Sequence, residues 1–124
     1  MKEIVIEALA VLLDKDCSIY QKKAALLLMK YYLPHDILKS ILEEDQIYPF
    51  DRNDRRITKW RKKVLSKGKC EICGSAERLE AHHIIKWSDY PAGRIDLKNG
   101  MCLCHDCHTR EHQFDECYHM MKAH

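Results

Sequence analysis

Two Cys-x-x-Cys pairs, Cys70/Cys73 and Cys104/Cys107, bracket His82-His83 and Asn99, and His108 and His112 follow directly behind the second pair. Four thiolates presented in two knuckles complete a tetrahedral zinc site without any imidazole. A Cys2His2 finger would need about a dozen residues between its Cys and His pairs. Here Cys73 to His108 is far too long and Cys107 adjoins His108, so four cysteines make the better structural centre. Cys17, Cys102 and Cys117 are left over and read as small apolar residues, the last two as buried thiols.

The histidines are then free for other work. His108 and His112 lie four residues apart on a helix expected from about Asp106 to Met121, so both rings can reach one ion. His82 and His83 close a strand expected over Arg78 to Ile85, on which that helix should pack. Two or three imidazoles can therefore meet at a second metal that keeps open positions. One of them must stay off the metal to act as a general base, because a ligated imidazole cannot also take a proton from water. Neighbours in a regular strand face opposite sides, so the His82-His83 pair suits one ligand and one base, provided the backbone bends as it leaves the strand. His35, His105, His119 and His124 share no such spacing and read as structural.

At 124 residues the chain is one domain, or one small domain with an appendage, and its core is modest. A structural metal would offset that deficit. Seven cysteines could form a disulfide scaffold only in a secretory context. The opening Met1-Lys2-Glu3-Ile4, an apolar stretch broken by Glu7 and the lack of a cleavage-site pattern point instead to a reducing cytosol. No apolar run approaches the length of a membrane span.

Net charge is only +2, but it is unevenly spread. Residues 1–50 carry −2, residues 51–69 carry +7 and residues 70–124 carry −3. That is a local patch for a polyanion rather than a generally basic protein. Its centre is a helix expected from Asp54 to Ser66, stopped by Lys67-Gly68. Ile57, Trp60, Val64 and Leu65 fall on one arc, and Arg55, Arg56, Lys59, Lys62 and Lys63 on the other. Like charges on one helix face cost stability unless a partner neutralises them, which favours phosphate-backbone contact over simple solvation.

Upstream, apolar spacing predicts a helix over residues 3–14, a second from Ile19 to Tyr32 capped by Ser18, and a third from about His35 to Glu44. The joint at Leu33-Pro34 invites a helix-turn-helix reading. The third helix offers His35, Asp36, Lys39, Glu43 and Glu44, however, a near-neutral to acidic surface where groove reading needs cations or amides. The segment is read as a packing or partner-binding element. Gln46 to Asn53 is a connector, Lys86 to Lys98 a loop, and Gly100 to Cys104 a second strand that delivers the second knuckle to the last helix.

His82-His83, Asn99 and His108 between flanking Cys-x-x-Cys pairs resemble the HNH endonucleases of the ββα-metal, or His-Me finger, fold. The string His-His-Ile-Ile-Lys-Trp-Ser-Asp-Tyr-Pro, then Arg-x-Asp-x-x-Asn-Gly-x-x-Leu-Cys-x-x-Cys-His, is similar to small stand-alone members common in bacteriophages and bacteria. The likeness covers about Trp60 to His112. It implies that His83 is the general base, that His82 and His108 ligate the catalytic metal, and that Asn99 holds the base and its loop. His112 matches a third histidine found in the colicin-type branch. Many relatives carry Asp at the position of His82, and a His there makes the site softer toward transition metals.

The expectation is therefore an α+β protein. An N-terminal helical segment, residues 1–50, precedes a basic helix and a zinc-stapled nuclease domain, residues 51–124. The expected cofactors are structural Zn2+ and one catalytic divalent metal, Mg2+, Mn2+, Ni2+ or Zn2+. The expected substrate is DNA, double-stranded and nicked one strand at a time, with residues 1–50 serving a protein partner or self-association. The expected location is the cytoplasm of a bacterial or phage-infected cell. A non-catalytic zinc-ribbon DNA-binding module, or an adaptor for another nucleic-acid enzyme, is the alternative.

Overall fold

The computed structural model describes residues 3–43, 48–49 and 51–122, with the chain beyond Gln113 described as backbone alone. Expectations for Met1-Lys2, Glu44, Gln46-Ile47, Cys117, His119 and His124 lie outside what is described.

Three helices come first: α1 (Glu3–Leu13), α2 (Ile19–Tyr32) and α3 (His35–Glu43). Ser18 starts α2 with a capping box, its hydroxyl accepting from Gln21 N–H at 3.1 Å while its own N–H donates to the Gln21 side chain at 2.7 Å. Pro34 ends the helix, because the residue before a proline is pushed to extended geometry, as Leu33 is. Val5, Ala8 and Leu12 of α1 and Ala25, Leu26 and Met29 of α2 are buried.

The basic helix α4 (Arg55–Leu65) is capped by Asp54, whose carboxylate accepts from Arg56 N–H at 2.8 Å. Its apolar arc falls as the periodicity requires, with Ile57, Trp60 and Val64 buried. That arc covers one face of a two-stranded antiparallel sheet, β1 (Leu79–His83) and β2 (Gly100–Cys104), in which Leu79 faces Cys104 and His83 faces Gly100. Gly100 is required for this approach, since an added Cβ would collide with Val64 and come within 3.1 Å of Trp60. Helix α5 (His105–Lys122) leaves β2 without a linker and packs on both strands. Helical N-terminal part, antiparallel hairpin and following helix, with four cysteines drawn together, make the α+β arrangement of the ββα-metal type.

Strand β1 stops two residues before the expected Ile85. Ile84 N–H still follows the register, donating to Asn99 O at 2.9 Å, but Ile85 N–H goes to the Asn99 side chain at 2.7 Å, which turns the chain out of the ladder. The segment from Lys86 to Lys98 is not an open loop. It holds two 3₁₀ turns, Pro91–Arg94 and Leu97–Asn99. Ile84, Ile85 and Tyr90 enter one core with Leu26, Met29, Leu38 and Leu42, and Lys30 of α2 pairs with Asp89 at 2.8 Å. The N-terminal helices are thus packed directly on the segment between the strands. None of the described helices is long and apolar enough to cross a membrane.

Candidate active site

Strand alternation sorts the site residues. Leu79 and Ala81 pack toward Trp60 and Val64 of α4, and His83 stacks on Trp60 with ring centroids 4.0 Å apart and planes 6° from parallel. Glu80 and His82 take the other face, toward α5. The two adjacent imidazoles therefore belong to different layers. Both nevertheless line one cleft of about 430 Å³, shared with Arg52, Trp87, His108 and His112. The bend at Ile84-Ile85 is what lets opposite faces of a strand open onto a common space.

On the α5 side, nitrogens of His82, His108 and His112 lie within 4.8 Å of one another. Glu80 accepts from His108 Nδ1 at 2.8 Å, which fixes the tautomer and leaves His108 Nε2 with its lone pair. That Nε2 faces His112 Nε2 at 3.0 Å. A carboxylate behind a histidine is the usual way of orienting a metal ligand and raising its basicity. Burial, and then the nearby His108 and His112, lower His82 to about 3, so its ring is neutral at ordinary pH. Three imidazole nitrogens gathered this closely fit a divalent transition metal.

The base candidate is held differently. His83 donates from Nε2 to the carbonyl oxygen of Arg94 at 2.9 Å, so the lone pair resides on Nδ1. Burial lowers its pKa below the usual value, the bond to Arg94 O opposes that shift, and the charges of Arg52, Arg61 and Arg94 add to it. A neutral imidazole with one nitrogen committed and one basic is what proton abstraction from water requires.

Asn99 is fully buried and satisfied on every side. It donates to Ile85 O at 3.1 Å and Gly93 O at 2.9 Å and accepts from Ile85 N–H at 2.7 Å. Gly93 has no room for a Cβ, which would approach the Tyr90 ring to 2.6 Å and the Asn99 amide to 2.9 Å. Asn99 thereby fastens the whole segment between His83 and β2.

At the far end of the hairpin, the sulfurs of Cys70, Cys73, Cys104 and Cys107 also lie within 4.8 Å of one another. The N–H groups of Cys73 and Cys107 each point at the first sulfur of their own knuckle, 3.5 Å away. For Cys70 burial raises the thiol, but N–H groups of Cys73, Cys104 and Ile72 outweigh it and bring the group down to about 6. Cys107 is pushed up to about 12, first by Cys104 and then by burial. Four thiols crowded in this way ionise together only around a cation, and the donor set fits zinc.

Arg55, Lys59, Lys62 and Lys63 are exposed on α4. Arg56 is exposed too, but its guanidinium is engaged with Asp54 at 2.9 Å. Four residues that the spacing argument passed over also belong here. Glu80 could have been found, because it stands two positions before His82 on the same strand face. Trp87 and Arg94 stand within the strings that resemble the family, but no role attached to them there, and Arg52, whose guanidinium lies over the Trp87 ring at 4.6 Å, carried no signal beyond its charge. His105, which reads as an isolated histidine in the sequence, shares the Glu80 carboxylate with His108, at 3.1 Å.

Residues 70–114 match the family model described as HNH endonuclease, which covers both cysteine pairs, the histidine cluster and Asn99. A domain of this class points to nuclease-type or nucleic-acid-binding chemistry and to divalent metals. Over 52 residues the chain is 35% identical to a protein named Anaredoxin from Nostoc sp. (strain PCC 7120), an overlap that covers 41% of this chain and 66% of that one. The chain thus spans a little under two thirds of that relative's length. No solved structure matches.

Proposed function

We propose that this protein is a metal-dependent DNA endonuclease that hydrolyses phosphodiesters and nicks duplex DNA. The observation that carries the reading is the division of labour in the cleft. One imidazole, His83, is tautomerically fixed with a basic Nδ1, beside three others whose nitrogens converge. A divalent metal, Mg2+, Mn2+, Ni2+ or Zn2+, held by His82, His108 and His112 would supply positive charge where negative charge develops on the phosphate and the leaving oxygen.

The chain's own residues do the rest. His83 takes a proton at Nδ1 from the water that attacks in line, and its Nε2–H, held by Arg94 O, keeps the ring in register. Asn99 holds the segment that carries this carbonyl. Arg55, Arg56, Lys59, Lys62 and Lys63 hold the phosphate backbone, which positions the duplex without reading sequence. Products carry 5′-phosphate and 3′-hydroxyl ends. Residues 51–124 carry the catalytic and zinc-binding side chains of the nuclease, and the helices of residues 1–50 pack against the segment that holds His83. Residues 1–50 serve a protein partner or a second copy, through side chains such as Tyr20 and Tyr31 that stay exposed on α2. The protein's setting is the reducing cytoplasm of a bacterial or phage-infected cell, where Cys70, Cys73, Cys104 and Cys107 stay available to a metal.

The test is nicking of supercoiled plasmid with each metal or with EDTA, comparing wild type with His83→Ala. Metal-dependent nicking that the substitution abolishes is expected. Should neither protein cut while both bind zinc and DNA, the function is nucleic-acid binding alone.

A further inference from the structure

We propose that Arg94 is a positioning residue for His83: its forked guanidinium braces the turn whose carbonyl fixes the base. This deepens the nuclease reading and rests on His83 being the base. Arg94 is the last residue of the 3₁₀ turn Pro91–Arg94, and its main-chain oxygen accepts from His83 Nε2. Its side chain runs outward and divides. Nε donates to Trp87 O at 3.0 Å, and Nη1 donates to Pro49 O at 2.8 Å. The guanidinium also lies 4.4 Å from the centre of the Trp87 ring and 5.4 Å from that of Tyr48.

One side chain therefore ties together three stretches that are remote in sequence: the connector at Tyr48-Pro49, the start of the inter-strand segment at Trp87, and the turn itself. From inside, the turn is held by Asn99 on Gly93 O; from outside, Arg94 is what holds it. The His83 ring, stacked on Trp60 and edged by Trp87 at 5.9 Å, has this carbonyl as the hydrogen-bond partner that selects its tautomer. If the carbonyl rotates away, the neutral ring is free to carry its proton on either nitrogen. Only the form with hydrogen on Nε2 leaves Nδ1 basic.

The shape of the side chain matters more than its charge. Two donors set at a fixed angle in one plane reach two carbonyls at once, which the single nitrogen of lysine does not reproduce. A residue present only as a cation for DNA phosphate would be replaced by lysine without loss.

The experiment uses the full zinc-loaded chain as wild type, Arg94→Lys and Arg94→Gln. Long-range 1H–15N correlation at pH 8 reads the His83 tautomer, and plasmid nicking at saturating DNA reads kcat. Wild type is expected to show His83 with hydrogen on Nε2 alone, and both variants a mixture. Both variants should lose roughly tenfold in kcat, with DNA affinity held within about twofold, since a small misplacement of a catalytic group acts on the chemical step. An unchanged tautomer in both variants, or full kcat in Arg94→Lys, overturns the proposal. The wild type supplies a check that survives variants failing to fold: the Arg94 Nε–H should exchange slowly with solvent, and rapid exchange overturns the brace. If the tautomer shifts with Arg94 but no protein cuts with any metal, the brace stands and the nuclease reading alone falls.

Discussion

The two ends of the β1-β2 hairpin are held by different forces. At the Leu79–Cys104 end the neighbours are sulfurs, Cys70, Cys73, Cys104 and Cys107, with Leu103 and Leu79 as nearly the whole of the local hydrocarbon. At the His83–Gly100 end the continuing segment sinks Ile84, Ile85 and Tyr90 into a core built from α1, α2 and α3. The sulfur end sets the start of α5 and with it His108 and His112. The hydrocarbon end sets the bend after His83, the Arg94 carbonyl and Asn99. The proposed ligand half and the proposed base half of the cleft thus lean on different ends of the hairpin.

The largest effect is expected at the sulfur end. Structural zinc contributes on the order of 10 kcal/mol to small domains of this kind. Elemental analysis should find one tightly held zinc per chain, and Cys104→Ser or stripping by a strong chelator should abolish the cooperative thermal transition followed by circular dichroism. A chain that melts unchanged without zinc would remove the distinction between the ends.

At the hydrocarbon end, Met29 is fully buried on α2. Met29→Ala should cost about 2–5 kcal/mol in urea titration, from lost transfer energy and the cavity left behind, with zinc content retained. A protein lacking residues 1–43 would expose Ile84, Ile85 and Tyr90, and should keep zinc while losing plasmid nicking. Undiminished nicking would mean that the base half does not depend on the helices.

Asn99→Ala leaves the Ile85 N–H, the Ile85 carbonyl and the Gly93 carbonyl without their partner. Each such group left buried and unpaired costs about 1–3 kcal/mol, yet nicking should fall far more than stability because the His83 segment loses its tie. Equal losses in both would make Asn99 an ordinary core residue.

The smallest expected effect is in pH. Folded His82 sits at about 3, well below its unfolded value of 6.5. The unfolded chain takes up a proton as pH drops below about 6.5, while the folded chain does not until near 3. Stability is therefore fully present above 6.5 and declines as pH falls through that window. Urea midpoints at pH 7.5 and pH 5 read the loss, and His82→Phe should reduce it. A midpoint that rises toward pH 5 would contradict the burial of this ring.

Helix positions were largely legible from local rules. Ser18 and Pro34 bound α2, and the 100° spacing of Ile57, Trp60 and Val64 orients α4. The cysteine knuckles were legible as well, because ligand spacing is a local property. What misled was the inter-strand segment. Its proline, glycine and polar residues read as an open loop, whereas Asn99 and the N-terminal core pull it into two 3₁₀ turns and shorten β1. The brace at Arg94 was not legible at all, since its partner at Pro49 lies 45 residues away.

The sequence by itself determined the donor chemistry: four cysteines at knuckle spacing, a histidine pair at a strand end, two histidines one turn apart on a helix, and a cationic helix face. Residue type and near-neighbour spacing set these, and both are written along the chain. Tertiary structure alone decided that His82 and His83, pointing to opposite faces of β1, open onto one cleft, and which nitrogen of His83 is basic. Those outcomes depend on a bend driven by burying Ile84 and Ile85 against α1–α3, and on a carbonyl supplied eleven residues later. Burial and hydrogen-bond partners are properties of packed surfaces, which come into being only when distant segments meet.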